Sequence, residues 1–314
     1  VLPMVLGAGL GFIYLADAPL KAAQCLFLGT ALAITAVPAT VRILMDLGQL
    51  NSVVGQTIIS AAVFDDILSL FLLSLLTAFI VAGSTPDIVS ILILGGKITL
   101  FFAITAFLGL YVFPWGGRFM HLLKAQELEL SAVLVGGFFF SVLAELLGMH
   151  FIVGAFVAGL YFGQNTIDQQ SYIRINQSVS AITFGFLAPI FFASIGLHID
   201  VSAMSEAPVF VLTLLVVAFL GKIVGSGAAA LMFGFSRLDS TNIGIGMSPR
   251  GAVELVIAGI ALKSGLFDTP DDGVVGHIFS AVVIMAVVTT VLSPIILRQT
   301  FGPRTRGGSR EPSS

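Results

Sequence analysis

Charge is what this sequence has least of. Asp, Glu, Lys and Arg make up 10% of its 314 residues, against about a quarter in soluble domains. Hydrophobic residues make up 57%, and the mean hydropathy is +1.07. A chain of this length cannot hide so much apolar surface from water, so a water-soluble fold is excluded and lipid is the solvent. No basic run is long enough to hold nucleic acid, and a net charge of −3 points to no charged partner. Cysteine is almost missing too. Cys25 stands alone in an apolar stretch, so no intramolecular disulfide can form. No group of catalytic side chains or cofactor ligands stands out, and the chain is not read as an enzyme. It opens on Val1-Leu2-Pro3 without an initiator Met or a signal-peptide pattern, and is expected to be cut from a longer protein. The end of the chain, 299–314, is expected to form a disordered cytoplasmic tail, from Gly302 on mostly Gly, Pro, Ser and Arg.

Long apolar runs fill the rest. A helix needs roughly 20 apolar residues to cross the hydrocarbon. Ten spans are predicted, at about 1–16, 20–45, 54–82, 88–113, 128–148, 149–164, 182–199, 207–235, 243–263 and 274–298. The expected fold is therefore an all-α polytopic membrane protein. Lys and Arg collect in cytoplasmic loops. With the loop after the second span inside, Arg42, Arg118, Lys124, Arg174, Arg237, Arg298, Arg304, Arg306 and Arg310 are cytoplasmic, and only Lys21 and Lys263 lie outside. The outer loops hold Asp17, Asp87, Asp200, Glu206, Asp268, Asp271 and Asp272. Both ends then face the cytoplasm.

Spans 1–3 and 8–10 share a pattern. The second span of each set is interrupted, at Thr35-Ala-Val-Pro38-Ala-Thr40 and at Gly244-Ile-Gly-Met-Ser-Pro249-Arg-Gly251. Proline removes a backbone donor and clashes one turn back. The two sets enter from opposite sides, so they read as inverted repeats whose broken helices cross, with an ion site at their interface.

The intramembrane charges agree with that placing. Asp65 and Asp66 lie about a dozen residues into the third span, roughly 17 Å deep at ~1.5 Å per residue. Each costs about 2.5–3.5 kcal/mol to insert, and adjacent carboxylates repel. Lys222, in the middle of the eighth span, is a plausible counter-ion for one of them. Arg250 and Glu254, spaced i, i+4 just past the second break, are expected to pair on one helical face as a structural latch. Two buried carboxylates can be shared between protons and a dehydrated monovalent cation. Three readings follow: an exchanger, a gated cation channel, or a sodium-coupled symporter for an organic solute.

At these motifs the chain resembles the monovalent cation:proton antiporter superfamily, in its bacterial sodium/proton and potassium/proton branch. The likeness runs from about Leu6 to Leu297. It is carried by Thr35-Ala-Val-Pro-Ala-Thr-Val-Arg42, Leu47-Gly-Gln-Leu50, Ala61-Ala-Val-Phe-Asp-Asp66, Gly154-Ala-Phe-Val-Ala-Gly159, Phe191-Phe-Ala-Ser-Ile-Gly196 and Met247-Ser-Pro-Arg-Gly-Ala-Val-Glu254. The resemblance implies that a sodium or potassium ion and protons are exchanged, and that the exchange is electrogenic, as for paired-aspartate members. It implies that Asp66 binds the cation, that Asp65 pairs with Lys222, and that Thr35 helps coordinate. It also implies a homodimer in a bacterial inner membrane, with an elevator-like core at 1–82 and 207–298 and a dimerisation part at 88–199. Members generally carry two or three further helices before this chain's first. In many, the glutamate follows Pro-Arg-Gly directly, whereas Ala252 intervenes here.

Overall fold

Long apolar segments with no water to bond must satisfy their own backbone groups, and a helix does so within one segment. The computed structural model describes residues 1–82, 88–113, 126–162, 169–268 and 273–301, and among them all regular structure is helical, with no strand. The helices are α1 (Leu2–Tyr14), α2 (Lys21–Ala33), α3 (Val37–Asp46), α4 (Val53–Ala82) and α5 (Ile88–Phe107). Then come α6 (Gln126–Leu146), α7 (Phe151–Tyr161), α8 (Gln169–Ile182), α9 (Ala188–Leu197), the one-turn α10 (Ala203–Glu206), α11 (Pro208–Met232), α12 (Arg237–Gly246), α13 (Ala252–Lys263) and α14 (Ile278–Phe301). Arg118, Lys124, Asp87, Asp271, Asp272, Arg304, Arg306 and Arg310, and the tail from Gly302, lie outside the described residues.

Five stretches of the described residues are long and apolar enough to cross a membrane: Val53–Thr77, Leu92–Val112, Gln169–Leu197, Pro208–Met232 and Val275–Phe301. Leu2–Tyr14, Leu130–Leu146 and Phe151–Tyr161 are shorter apolar helices. The segments expected as single spans at 20–45 and 243–263 are each two helices with a non-helical break, at 34–36 and 247–251. The second pair also starts earlier, because Ser236 caps α12 by accepting from the Asp239 amide (3.1 Å). The span expected to begin at 182 is helical from Gln169, and a π turn at Thr183–Leu187 joins α8 to α9. Its polar first half hid it from an apolar-run reading.

The chain forms two compact units, Val1–Ser69 with Asp200–Ser314, and Leu70–Ile199. The division falls inside α4. In the second unit, α6 and α7 meet so closely that a Cβ on Gly154 would lie 2.0 Å from the Phe140 carbonyl oxygen. Gly148, at φ +81°, makes the turn between them. Phe113 stacks on Phe140 with ring centroids 5.3 Å apart.

In the first unit, glycines let helices approach backbone to backbone, which is how apolar helices associate in lipid. A Cβ on Gly7 of α1 would sit 2.6 Å from the Leu28 carbonyl oxygen of α2, and one on Gly244 of α12 would sit 2.7 Å from the Cα of Ile223 on α11. Below the breaks, Leu44, Ile58, Ala62, Ile243, Met247 and Leu297 form a buried cluster. Gly7→Val is expected to destabilise the protein by ~1–3 kcal/mol through overpacking. Gly9→Val should not, because nothing lies within 4 Å of its Cβ position. Thermal melts in detergent check this, and equal melting temperatures for the two variants would contradict the α1–α2 contact.

Candidate functional site

A broken helix leaves its last carbonyls and first amides without partners. In lipid they must be satisfied by protein, and here the two breaks supply one another. The amide of Ala36, in the first break, donates to the carbonyl of Pro249, in the second (2.8 Å). Pro38 stands in the first turn of α3, where a missing amide proton costs nothing. Thr40 donates its hydroxyl to the carbonyl of Gly246 (3.0 Å), and the Thr35 hydroxyl oxygen lies 3.2 Å from the carbonyl oxygen of Met247. The carbonyl end of α2 is closed by Arg250. Its Nη2 donates to Leu32 (2.8 Å), and its Nη1 donates to the carbonyls of Ala31 and Ile34. A guanidinium there also meets the negative end of the helix dipole. Thr290 of α14 holds the Arg250 backbone, accepting from its amide (3.2 Å) and donating to its carbonyl.

The latch therefore forms differently from its expected shape. Arg250 lies before α13, and Gly251 is extended at φ −160°, ψ −153°, so Arg250 and Glu254 do not share one helical face. Arg250 reaches across to α2, and both Glu254 oxygens lack a hydrogen-bond partner among the described residues.

The crossing holds a charged group from each flanking long helix. Lys222 projects from α11 and is 3% exposed. Its ammonium donates to the hydroxyl of Thr35 (2.6 Å) and to Oδ2 of Asp65 on α4 (3.2 Å). Thr35 in turn donates to the same Asp65 oxygen (2.7 Å). Lysine, threonine and aspartate thus close a triangle in which Lys222 donates twice, Thr35 accepts once and donates once, and Asp65 accepts twice. Thr35 bonds Asp65 rather than Asp66. Asp66, one residue on, is half-buried. Its Oδ1 is buried without a hydrogen-bond partner among the described residues, and its backbone carbonyl accepts from the Ser69 hydroxyl (2.7 Å). Two adjacent positions of α4 therefore offer a satisfied carboxylate and one whose buried oxygen is unpartnered among the described residues, beside a break lined with backbone carbonyls. Oxygen atoms of this kind are the ligand type that small hard cations take.

Residues 1–301 match the family described as sodium/hydrogen exchanger, transmembrane. The chain belongs to this sodium/hydrogen exchanger family. Within it, the chain is 34% identical to the Na(+)/H(+)-K(+) antiporter GerN of Bacillus cereus over 306 residues, 98% of this chain and 74% of that protein. It is 32% identical to the Na(+)/H(+) antiporter of Enterococcus hirae, covering 88% of this chain and 69% of that one. The plant cation/H(+) antiporter 20 of Arabidopsis thaliana is 31% identical over 99% of this chain but 37% of its own length. This exchanger-family chain is thus an integral membrane protein, as its apolar helices require.

Sequence reasoning missed Thr40 and Thr290, which hold the two breaks. Thr40 sits in the quoted Thr-Ala-Val-Pro-Ala-Thr motif, so its spacing was a usable signal. Thr290, inside an unbroken helix, carried none. Lys222→Met is expected to destabilise the exchanger by at most ~3–5 kcal/mol, because it leaves the partly buried Asp65 carboxylate without its cation. Adding Asp65→Asn should recover part of that loss. Detergent melts of the two singles and the double check it, and strictly additive losses would rule the pair out.

Proposed function

We propose that this protein exchanges a monovalent cation, sodium or potassium, for protons across a membrane by alternating access. The observation that carries this reading is the mid-helix Asp65-Asp66 pair. One carboxylate is bonded to Lys222 and Thr35, and the other has a buried oxygen with no partner. Relatives that cover most of this chain are named Na(+)/H(+) antiporters, one of them also for potassium. In this reading Asp66 is the principal ligand, with Asp65 and Thr35 beside it, and Lys222 is the counter-ion. A dehydrated cation and a proton compete for the same oxygens, and coupling follows because the site cannot hold both.

The architecture belongs to the same proposal. The five long stretches, the three shorter apolar helices and the two interrupted pairs would together make the ten crossings. Spans 1–3 and 8–10 would then be inverted repeats around the crossed breaks, moving as the elevator-like core. The helices between 88 and 199 would form the dimerisation part of a homodimer in a bacterial inner membrane, with both ends of the described chain cytoplasmic. Arg42 and Arg237, and Lys21 and Asp17 on the other side, agree with that orientation.

Asp66→Asn is expected to abolish cation-driven proton movement while leaving the protein folded and inserted. The assay is dequenching of a pH dye in everted vesicles after addition of sodium or potassium chloride, with choline chloride as blank. Normal exchange by a well-inserted Asp66→Asn protein would overturn the assignment.

A further inference from the structure

Glu254 has no role in the scheme above. It lies in the first turn of α13 and is fully buried. Among the described residues neither of its carboxylate oxygens has a hydrogen-bond partner. The helices packed against α13 are α2 and α14. The charges that act on Glu254 are Arg250 and Lys222, and neither is bonded to it. Arg250 spends both Nη atoms on the α2 carbonyls, and its Nε has no partner either. Lys222 gives two of its three ammonium hydrogens to Thr35 and Asp65. A buried carboxyl group is either paired or neutral, since a bare ion without donors is strongly disfavoured in a low dielectric. Glu254 is unpaired among the described residues. One ammonium hydrogen of Lys222 and both carboxyl oxygens of Glu254 remain unspent among the described residues.

We propose that Glu254 is a second proton-carrying group of the exchange cycle, protonated while Lys222 is bonded to Asp65 and deprotonated when Lys222 turns to it. The inference rests on the cation reading of Asp65 and Asp66. Before the cation binds, Asp65 is an anion paired with the Lys222 ammonium, and Asp66 and Glu254 each carry a proton. A cation entering between the aspartates replaces the Asp66 proton and competes with Lys222 for the Asp65 oxygen. The ammonium keeps its own protons and moves to Glu254, and the Glu254 O–H proton leaves to solvent. Two protons leave for one cation, so the site becomes more negative by one charge and the exchange is electrogenic. The inventory favours this: among the described residues the charges that act with Asp65, Asp66 and Glu254 are two basic groups, Lys222 and Arg250, so the site with all three carboxyls ionised needs the cation to balance it.

The test counts protons released by the purified chain in detergent. Sodium or potassium chloride is added in weak buffer with a pH dye, across acidic to neutral pH, with choline chloride as blank. At saturating cation the unaltered protein should release at most about two protons per chain, and Glu254→Gln about one, because coupled groups release protons as a set. In proteoliposomes, Glu254→Gln exchange should lose its response to membrane potential, while Glu254→Asp keeps it. Equal release from Glu254→Gln and unaltered protein overturns the proposal, as does an unaltered protein releasing about one. A measurement on the unaltered sequence makes the test independent of whether Glu254→Gln folds. The cation-induced infrared difference spectrum should contain a protonated-carboxyl band that shifts when only glutamate is carbon-13 labelled. No label-sensitive band overturns the proposal. Asp66→Asn serves as the separate control: if it still releases protons on cation addition, the underlying site assignment has failed, and if it does not while Glu254→Gln matches unaltered protein, only the role of Glu254 has failed.

Discussion

In a medium without water, every backbone group freed by a helix break must find a partner inside the protein. The two breaks of this chain meet that demand by facing each other. The Ala36 amide bonds the Pro249 carbonyl, Thr40 bonds Gly246, and Arg250 closes the end of α2. Either break alone would leave carbonyls bare in hydrocarbon. Together they make a small polar interior, and they fix its position, because a backbone bond between residues 36 and 249 leaves no freedom for either to slide. Gly251 belongs to the same constraint: a Cβ there would come within 2.7 Å of the Ala36 Cβ.

The polar interior makes the ionisable groups tolerable. Lys222 would be costly in the middle of an apolar helix, yet it finds a hydroxyl and a carboxylate at hydrogen-bond distance. The low dielectric that makes these contacts strong also makes any unpaired group unstable. Among the described residues, Asp66 and Glu254 are the two acidic groups with buried oxygens left over. A structure that satisfies one carboxylate and withholds partners from two others is suited to taking up protons or cations and giving them back. A fully satisfied network would be more stable and would transport nothing.

Much of this was legible in the residues. The two proline-interrupted segments were visible as breaks because Pro38 and Pro249 sit in otherwise apolar runs of span length. Asp65, Asp66 and Lys222 stood out because intramembrane charge is rare and expensive. The polar start of α8 was not legible. Gln169–Ile182 has too few apolar residues to read as a span, although it continues through a π turn into Ala188–Leu197. The Arg250–Glu254 spacing misled, since an i, i+4 pair presumes a helix, and the chain is extended at Gly251.

The sequence by itself determined the solvent, the helical class, the charges that lie within the apolar helices and the two places where helices stop. Those follow from local chemistry: hydropathy, proline's missing donor and the cost of charge in lipid. Only the tertiary structure decided which partners those groups take. Thr35 bonds Asp65 and not Asp66, Arg250 bonds α2 and not Glu254, and Lys222 chooses one aspartate of two adjacent ones. Such choices depend on distances of a few ångströms between residues separated by up to 219 positions in the chain. No spacing rule within a single helix encodes them, because they are set by how closely glycine-lined helices approach at the crossing.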